Sequence, residues 1–211
     1  MKRLAKPEGK YNLVVEDAPM PEPAAGEVRI RAVRSLISRG SEMGARYTRD
    51  HAVSPDIMGY SMAGTIDALG EGVTHYEIGD RVVSLSPHAE YSVRKATVDG
   101  PHGMAWVVAL PDDVNWEAAP YYPLTSGSVA WVEAEEIGPT DTVVILGQGL
   151  VGSLMLQTMK ANGNGYVIAV DALDSRCEMA ANMGADRVIN AAEEDPVAAV
   201  RKLTNGVGAH L

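Results

Sequence analysis

A glycine-rich turn at residues 147–152 carries the clearest chemical signal in the sequence. It reads GQGLVG and lies between an apolar run, TVVIL, and a helix-like segment, LVGSLMLQTMKA. In a G-x-G-x-x-G turn Gly147 makes the tight bend, Gly149 lets a pyrophosphate approach the backbone, and Gly152 permits close helix packing. The following helix N-terminus offers free N–H groups to phosphate oxygens. The predicted dinucleotide-binding residues of this turn are Gly147, Gln148, Gly149, Leu150, Val151 and Gly152.

An acidic residue follows at the interval that such a turn requires. Asp171 ends the next apolar run, YVIAVD, roughly 20 residues after Gly152. Its carboxylate can accept hydrogen bonds from ribose hydroxyls and repels a 2′-phosphate, which predicts NAD rather than NADP. The alternative is a structural glycine turn in which Asp171 caps a helix. Arg176, five residues on, either faces the adenine or is a surface helix residue.

The segments around the turn predict a parallel α/β sheet. TSGSVAWVEAEEI predicts a helix over 125–137, ended by Gly138 and Pro139. Three apolar runs, TVVILG, YVIAVD and RVIN, predict strands, and each is followed by a segment with helical spacing. Pro196 fits the first turn of the last helix. Strands and helices alternating in this way form βαβ units.

Residues 1–110 have a different pattern. Short runs rich in Val and Ile, such as EVRIRAVRS, DRVVSLS and AEYSVRKA, are separated by Pro and Gly signals. Many short strands at this spacing predict a small barrel or sandwich. We therefore expect two domains, a β domain over 1–124 and an α/β domain over 125–211.

Composition excludes several classes of partner. The 211 residues are 46% hydrophobic and 22% charged, and the net charge is −10. An acidic chain argues against nucleic acid or an anionic membrane as partner. No apolar run approaches the roughly 20 residues that span a bilayer, and the N-terminus lacks a signal-peptide pattern. One cysteine, Cys177, allows no intrachain disulfide. The expected localisation is cytoplasmic.

Ordered phrases along the chain resemble medium-chain dehydrogenases and reductases. GYSMAGTIDALGEGVTHYEIGDRVV is similar to a passage that begins Gly-His-Glu in that superfamily, and PDDVNWEAAP, DTVVILGQGLVG and NMGADRVIN follow in the proper order. The resemblance implies a GroES-like barrel followed by a Rossmann NAD(P)-binding domain, and an oxidoreductase activity. SLISRGSEM and MGYS look most like a branch with zinc-free members, related to bacteriochlorophyllide dehydrogenases, in which Gly-Thr-Glu or a similar motif replaces the cysteine segment.

The departures from the superfamily pattern concern its catalytic metal. The places of the three zinc ligands are held by Ser38, Tyr60 and Tyr122. Zinc selects thiolate, imidazole and carboxylate, so no zinc is expected to bind in the family's mode. The histidines His51, His75, His88, His102 and His210 show no metal-binding spacing and are interpreted as surface or loop residues. His88 is set apart because the corresponding passage runs near the active cleft in the superfamily.

Polar side chains could stabilise a substrate oxygen in place of the metal. Tyr60 could donate a hydrogen bond to it, with Ser38, Ser41 or Arg39 alongside. In the alternative, Tyr60 only fills the space of the metal site, and the two serines cap a helix. Ser126 lies where the superfamily commonly has a hydroxyl near the nicotinamide. It could equally cap a helix, a role for which Thr125 competes.

The resemblance also predicts that the sequence is C-terminally truncated. The nucleotide-binding sheet of the superfamily has the strand order 3-2-1-4-5-6, and strands 1–3 form its adenosine half. The sequence supplies these three strands and stops at VGAHL, where strand 4 should begin. We expect a zinc-independent NAD-dependent oxidoreductase acting on a small carbonyl, alcohol or activated alkene, and little activity from these 211 residues alone. A homo-oligomer, dimer or tetramer, is implied. The alternative is a non-catalytic or degenerate dinucleotide-binding or assembly protein that retains the fold.

Overall fold

A computed structural model describes residues 1–53, 58–97, 105–163 and 165–211. Residues 55–57, which precede Tyr60 in the sequence, and His102 lie outside the described residues. The chain forms two compact units, Met1–Pro123 and Leu124–Leu211. Within the described ranges, no helix combines the length and the apolar character needed to cross a membrane.

The first unit is built from antiparallel strands. Its strands are β1 Lys2–Ala5, β2 Val14–Asp17, β3 Glu27–Ser35, β4 Met62–Leu69, β5 Arg81–Ser84, β6 Tyr91–Lys95 and β7 Val107–Ala109. β1 and β2 form a hairpin, and the other five form a sheet in the order β6-β3-β4-β5-β7. A π-helix, Arg39–Tyr47, follows β3, and a 3-10 turn, Ala119–Tyr121, precedes the second unit. The predicted β-rich first half is confirmed.

Alternation in β3 explains how this sheet forms its core. Val28 and Ile30 are fully buried while the arginines between and after them point away, which is the period-two pattern of a strand with one buried face. Methionines supply bulk in a chain without phenylalanine. The buried cluster consists of Val28, Ile30, Met62, Ile66, Val82, Ala96 and Val107.

The second unit is a three-stranded parallel half-sheet with helices. It contains α1 Tyr122–Ala134, β8 Thr142–Leu146, α2 Leu150–Asn162, β9 Tyr166–Asp171, α3 Asp174–Asn182, β10 Arg187–Asn190 and α4 Pro196–Leu203, with α1 beginning at the unit boundary. The strand order β10-β9-β8 is that of strands 3-2-1. The predicted partial Rossmann sheet is therefore confirmed.

The end of the chain lies along the free edge of β8. The His210 N–H donates to the Thr142 carbonyl at 2.8 Å, and the Leu211 carbonyl accepts from the Val144 N–H at 2.9 Å. This edge is where strand 4 of the predicted order would pair. Leu146 at the end of β8 is 76% exposed, as expected for a half-sheet whose apolar surface is incompletely covered.

Helix α1 differs from its prediction at both ends. It spans Tyr122–Ala134 rather than 125–137, because the 3-10 turn that contains Pro120 continues directly into it. At the other end, Glu135 and Glu136 would place negative charge at the negative end of the helix dipole. Gly138 lies in a separate turn, where its N–H donates to the Asp141 carboxylate at 2.7 Å.

Candidate functional site

The glycine turn between β8 and α2 has the shape that a bound phosphate requires. Gly147 has φ +84°, a left-handed conformation that favours glycine. A Cβ at Gly149, the N-cap of α2, would meet no atom within 4 Å, so the backbone there is open to a ligand. A Cβ at Gly152 would overlap the carbonyl oxygen of Gly147. The three glycines thus give the turn a tight bend, an open backbone and close helix packing, a geometry that can accept a dinucleotide.

Gln148 is the buried member of this turn. Its side chain is fully buried, and its Nε2 donates to the Ile145 carbonyl at 3.1 Å. Its Oε1 has no hydrogen-bond partner within the described part of the chain. Leu150 and Val151 begin α2, whose first N–H groups face the turn, and Val151 also lines the groove beside β8. An orphaned buried oxygen in the turn leaves one polar group there unsatisfied.

Asp171 ties the end of β9 to the glycine turn. Its Oδ2 accepts from the Gln148 N–H at 2.7 Å, and its Oδ1 accepts from the N–H groups of Ala172 and Leu173 at 2.8 and 3.0 Å. Burial is the largest effect on the pKa of Asp171 and raises it, but these hydrogen bonds and the charge of Arg176 together hold the pKa below its usual value. The carboxylate is therefore charged at neutral pH.

Both alternatives for Asp171 have some basis in this geometry. The carboxylate caps the turn that leads to α3, as in the structural alternative, although Leu173 is the N-cap residue. The same carboxylate stands beside the glycine turn, as in the ribose-binding alternative. Arg176 on α3 places its Nη1 3.5 Å from Asp171 Oδ2 and also lines the groove beside Gly149.

The predicted substrate-side residues lie on two neighbouring segments of the first unit. Ser38 is buried at the N-cap position of the π-helix, and Ser41 is exposed within it. Tyr60 is half-buried and follows Gly59, which has φ +96°. The Ser61 carbonyl accepts from the Leu36 N–H at 3.2 Å, so the segments that carry Tyr60 and Ser38 run side by side.

The capping alternatives for the serines are not supported. Ser38 makes no side-chain capping hydrogen bond, although it stands at the N-cap of the π-helix. Ser41 lies inside the same helix, not at its start. Because α1 begins at Tyr122, Thr125 and Ser126 lie within it and do not cap it, which corrects the expected helix start. Ser126 is half-buried there.

A buried hydrogen-bonded pair beside these segments was not predicted. His88 Nε2 lies 2.7 Å from Glu42 Oε2, and the two side chains are 9% and 2% exposed. Glu42 Oε1 accepts from the Ser38 N–H at 2.8 Å. The sequence set His88 apart through the resemblance, but no local spacing could have paired it with a residue 46 positions away. His88 lies in the loop between β5 and β6, as one of the two expected settings has it, but its side chain is buried.

Two family profiles match the chain. The profile "Alcohol dehydrogenase GroES-like domain" matches residues 24–114, and the profile "Zinc-binding dehydrogenase" matches residues 151–211. The L-threonine 3-dehydrogenase of Pyrococcus abyssi is 30% identical over 99% of this chain and 67% of its own length. The chain belongs to the medium-chain dehydrogenase/reductase superfamily. The GroES-like domain followed by a partial Rossmann domain is thereby confirmed.

Solved structures of superfamily members give the same fold. One, an NAD-dependent alcohol dehydrogenase, superposes with TM-score 0.83 at 25% identity and covers 99% of this chain and 69% of its own. The quinone oxidoreductase of Escherichia coli, solved with NADPH, superposes with TM-score 0.79 at 23% identity, over 98% of this chain and 63% of its own. The chain therefore spans about two thirds of the length of these relatives.

The superfamily's metal positions carry unsuitable side chains in this member. Ser38, Tyr60 and Tyr122 stand there by resemblance, and none is a residue type that zinc selects. In the described ranges, no group of three or more His, Cys, Asp or Glu side chains comes together as a metal site would require. The prediction that this member binds no zinc stays a prediction.

Proposed function

We propose that the protein is a zinc-independent, NAD-dependent oxidoreductase that transfers hydride between a nicotinamide and a small carbonyl, alcohol or activated alkene. The observation that carries this is the GQGLVG turn joined to the charged Asp171 by the 2.7 Å hydrogen bond from Gln148. Relatives that are alcohol dehydrogenases, threonine dehydrogenases and quinone oxidoreductases support hydride transfer.

The second unit supplies the residues that would hold the cofactor. The Gly147–Gly152 turn and the α2 N-terminus would bind the pyrophosphate, and Asp171 and Arg176 would lie beside the adenosine ribose. When bound, the nicotinamide gives or takes a hydride. A charged Asp171 supports NAD over NADP because it would repel a 2′-phosphate, while Arg176 works against that repulsion. Ser126 on α1 is proposed to approach the nicotinamide.

The first unit supplies the polar groups for the substrate oxygen. The three positions that hold zinc ligands elsewhere in the superfamily cannot act as a Lewis-acid site here. Tyr60 would donate a hydrogen bond to that oxygen, and Ser38 and Ser41 lie on the neighbouring segment. Quinones and activated alkenes suit such a site, since their electrons delocalise and need less electrophilic assistance.

A panel assay tests the proposal. A version of the protein that carries both halves of the nucleotide sheet would be mixed with NADH or NADPH and with quinones, enals and aldehydes, and in the other direction with alcohols and NAD. Stereospecific transfer of deuterium from labelled NADH to product is the expected result. Metal analysis of the same preparation should give far less than one zinc per chain. Stoichiometric zinc, with activity lost on chelation, would overturn zinc independence.

A second candidate is a dinucleotide-binding or assembly protein without catalysis. The observation that favours it is the replacement of all three metal positions by Ser38, Tyr60 and Tyr122. Under this hypothesis the protein binds NADH but transfers no label to any acceptor. Binding without transfer in the panel assay would decide for it. A cytoplasmic location and a homo-oligomeric state belong to the first proposal and rest on composition and on resemblance.

A further inference from the structure

A carboxylate, an imidazole and a hydroxyl form one hydrogen-bonded chain in the first unit. Glu42 is 1% exposed, and its Oε2 lies 2.7 Å from His88 Nε2. On the other side of the ring, His88 Nδ1 lies 2.9 Å from Ser35 Oγ. Glu42 is held in place by its second oxygen, which accepts from the Ser38 N–H at 2.8 Å. The carboxylate of Glu42 is the buried end of this hydrogen-bonded series, and the hydroxyl of Ser35 is its exposed end.

The pairing of the imidazole with a carboxylate assigns the protons. An ionised Glu42 can only accept at both oxygens, so we assign to His88 Nε2 the proton that lies between His88 and Glu42. In a neutral imidazole the other nitrogen is an acceptor, and the Ser35 hydroxyl therefore donates to Nδ1. In this order the hydroxyl can lose its proton to the imidazole while the carboxylate stabilises the imidazolium that forms.

This chain of groups adjoins both segments of the substrate side. Glu42 shares a hydrogen bond with Ser38, one of the positions that hold zinc ligands elsewhere in the superfamily. The His88 ring packs on Gly59, where an added Cβ would lie 2.8 Å from two ring carbons. Tyr60, a second such position, follows Gly59. Ser35 is the exposed last residue of β3 and is paired with Met62 of β4.

We propose that Ser35, His88 and Glu42 form a proton relay for hydride transfer, an inference that rests on the proposed function. In alcohol oxidation a bound nicotinamide would take the hydride from the substrate carbon. Ser35 Oγ accepts the substrate O–H proton as the Ser35 proton passes to His88 Nδ1, and Glu42 stabilises the imidazolium that forms. After the carbonyl product leaves, the proton on His88 Nδ1 returns through Ser35 Oγ, the exposed end of the series, to water, and carbonyl reduction reverses each step.

Ser35→Ala is the sharpest variant because it removes only the exposed hydroxyl. The Glu42–His88 pair stays in place, so a purely structural pair would leave turnover unchanged. General acid–base assistance contributes about 10²-fold or more, so kcat should fall by about that factor with KM nearly constant. The solvent deuterium isotope effect on kcat should rise as proton transfer becomes limiting. Thr48→Ala is the matched control, since Thr48 is also exposed and donates to the Gly44 carbonyl at 2.9 Å.

Nitrogen NMR of the 211-residue chain gives a readout without turnover. His88 should show a protonated Nε2 with a slowly exchanging, deshielded proton and an unprotonated Nδ1. That signal should persist in Ser35→Ala and disappear in Glu42→Gln, while His51→Asn, at an exposed histidine, serves to assign it. A His88 protonated on Nδ1 would overturn the relay.

The two proposals fail in different ways. If the protein transfers hydride and Ser35→Ala keeps the wild-type kcat, the relay is wrong and the proposed function stands. If the protein transfers no hydride to any acceptor in the panel, both are wrong. Hydride transfer with a large loss in Ser35→Ala, and none in Thr48→Ala, supports both.

Discussion

Tyr60 is the residue on which the substrate side of the proposal depends most directly. Tyr60→Phe removes the hydroxyl and keeps the ring in its half-buried position. If the hydroxyl stabilises the substrate oxygen, kcat should fall by about 10²-fold, the typical cost of one oxyanion donor. If the ring only fills space, kcat and the thermal midpoint should both stay close to wild type. Steady-state kinetics beside a thermal melt would separate the two roles.

Gly152 has no room for a side chain. In Gly152→Ala the new Cβ would overlap the Gly147 carbonyl oxygen, which belongs to the backbone of the turn and cannot move aside cheaply. We expect a loss of stability of about 1–3 kcal/mol and at least tenfold weaker NADH binding. Urea unfolding would measure the loss of stability, and ligand-observed NMR of NADH would measure the loss of binding.

Gly127→Ala is the matched control for this substitution. Its Cβ would meet Trp131 at an ordinary 3.7 Å within α1. Replacing a helix-interior glycine with alanine should stabilise the unit by about 0.5–1 kcal/mol. Equal losses in both variants would contradict the role assigned to Gly152.

At the scale of elements, Asp186 links α2 to the sheet. Its carboxylate accepts from Lys160 Nζ on α2 at 2.9 and 2.8 Å and from the Val167 N–H of β9 at 2.8 Å. Burial is the largest effect on the pKa of Asp186 and raises it, but the Lys160 and Val167 hydrogen bonds outweigh burial and lower the pKa overall. Asp171 in the same unit also has a lowered pKa.

A lowered pKa predicts loss of stability in acid. The ionised carboxylate stabilises the folded state above the unfolded-state pKa of about 3.9, and this contribution disappears as the pH falls through the lower folded-state pKa. In Asp186→Asn the free energy of unfolding should therefore depend less on pH between about 5 and 2. Asp112→Asn, at an exposed position in the first unit, should keep the wild-type slope. Denaturant titrations across this pH range would measure the slope for both variants, and an equal slope in Asp186→Asn and wild type would contradict the role assigned to Asp186.

At the scale of the whole molecule, cofactor affinity depends on how much of the nucleotide sheet is present. The second unit holds three parallel strands, and its glycine turn and Asp171 serve the adenosine half. We expect the 211-residue chain to bind NADH weakly, with little fluorescence enhancement. Asp171→Ala should weaken even that binding. Tight binding with strong enhancement by the chain alone would contradict the expectation.

Local sequence patterns predicted most of the strands and helices, and the turn proposed to bind the cofactor. The period-two run of β3, the apolar runs of β8 and β9 and the GQGLVG turn are short-range signals, and Asp171 follows the turn at a fixed interval because a single βαβ unit lies between them. Such features arise within one supersecondary unit, so the sequence carries them. The ends of α1 were missed because a preceding 3-10 turn extended the helix at one end and charge shortened it at the other.

Only the tertiary structure decided what stands beside the replaced metal positions. Glu42, His88 and Ser35 come from a π-helix, a loop before β6 and the end of β3, and their contact depends on how β3, β4 and β6 pair. The side chain of His88, a histidine expected on the surface or in a loop, is thereby buried against a carboxylate and Gly59. The sequence by itself predicted a dinucleotide turn and placed Ser38, Tyr60 and Tyr122, by resemblance, at the superfamily's three zinc positions. The fold determined that a hydrogen-bonded carboxylate, imidazole and hydroxyl occupy the same neighbourhood, because residues distant in sequence meet only when the sheet has formed.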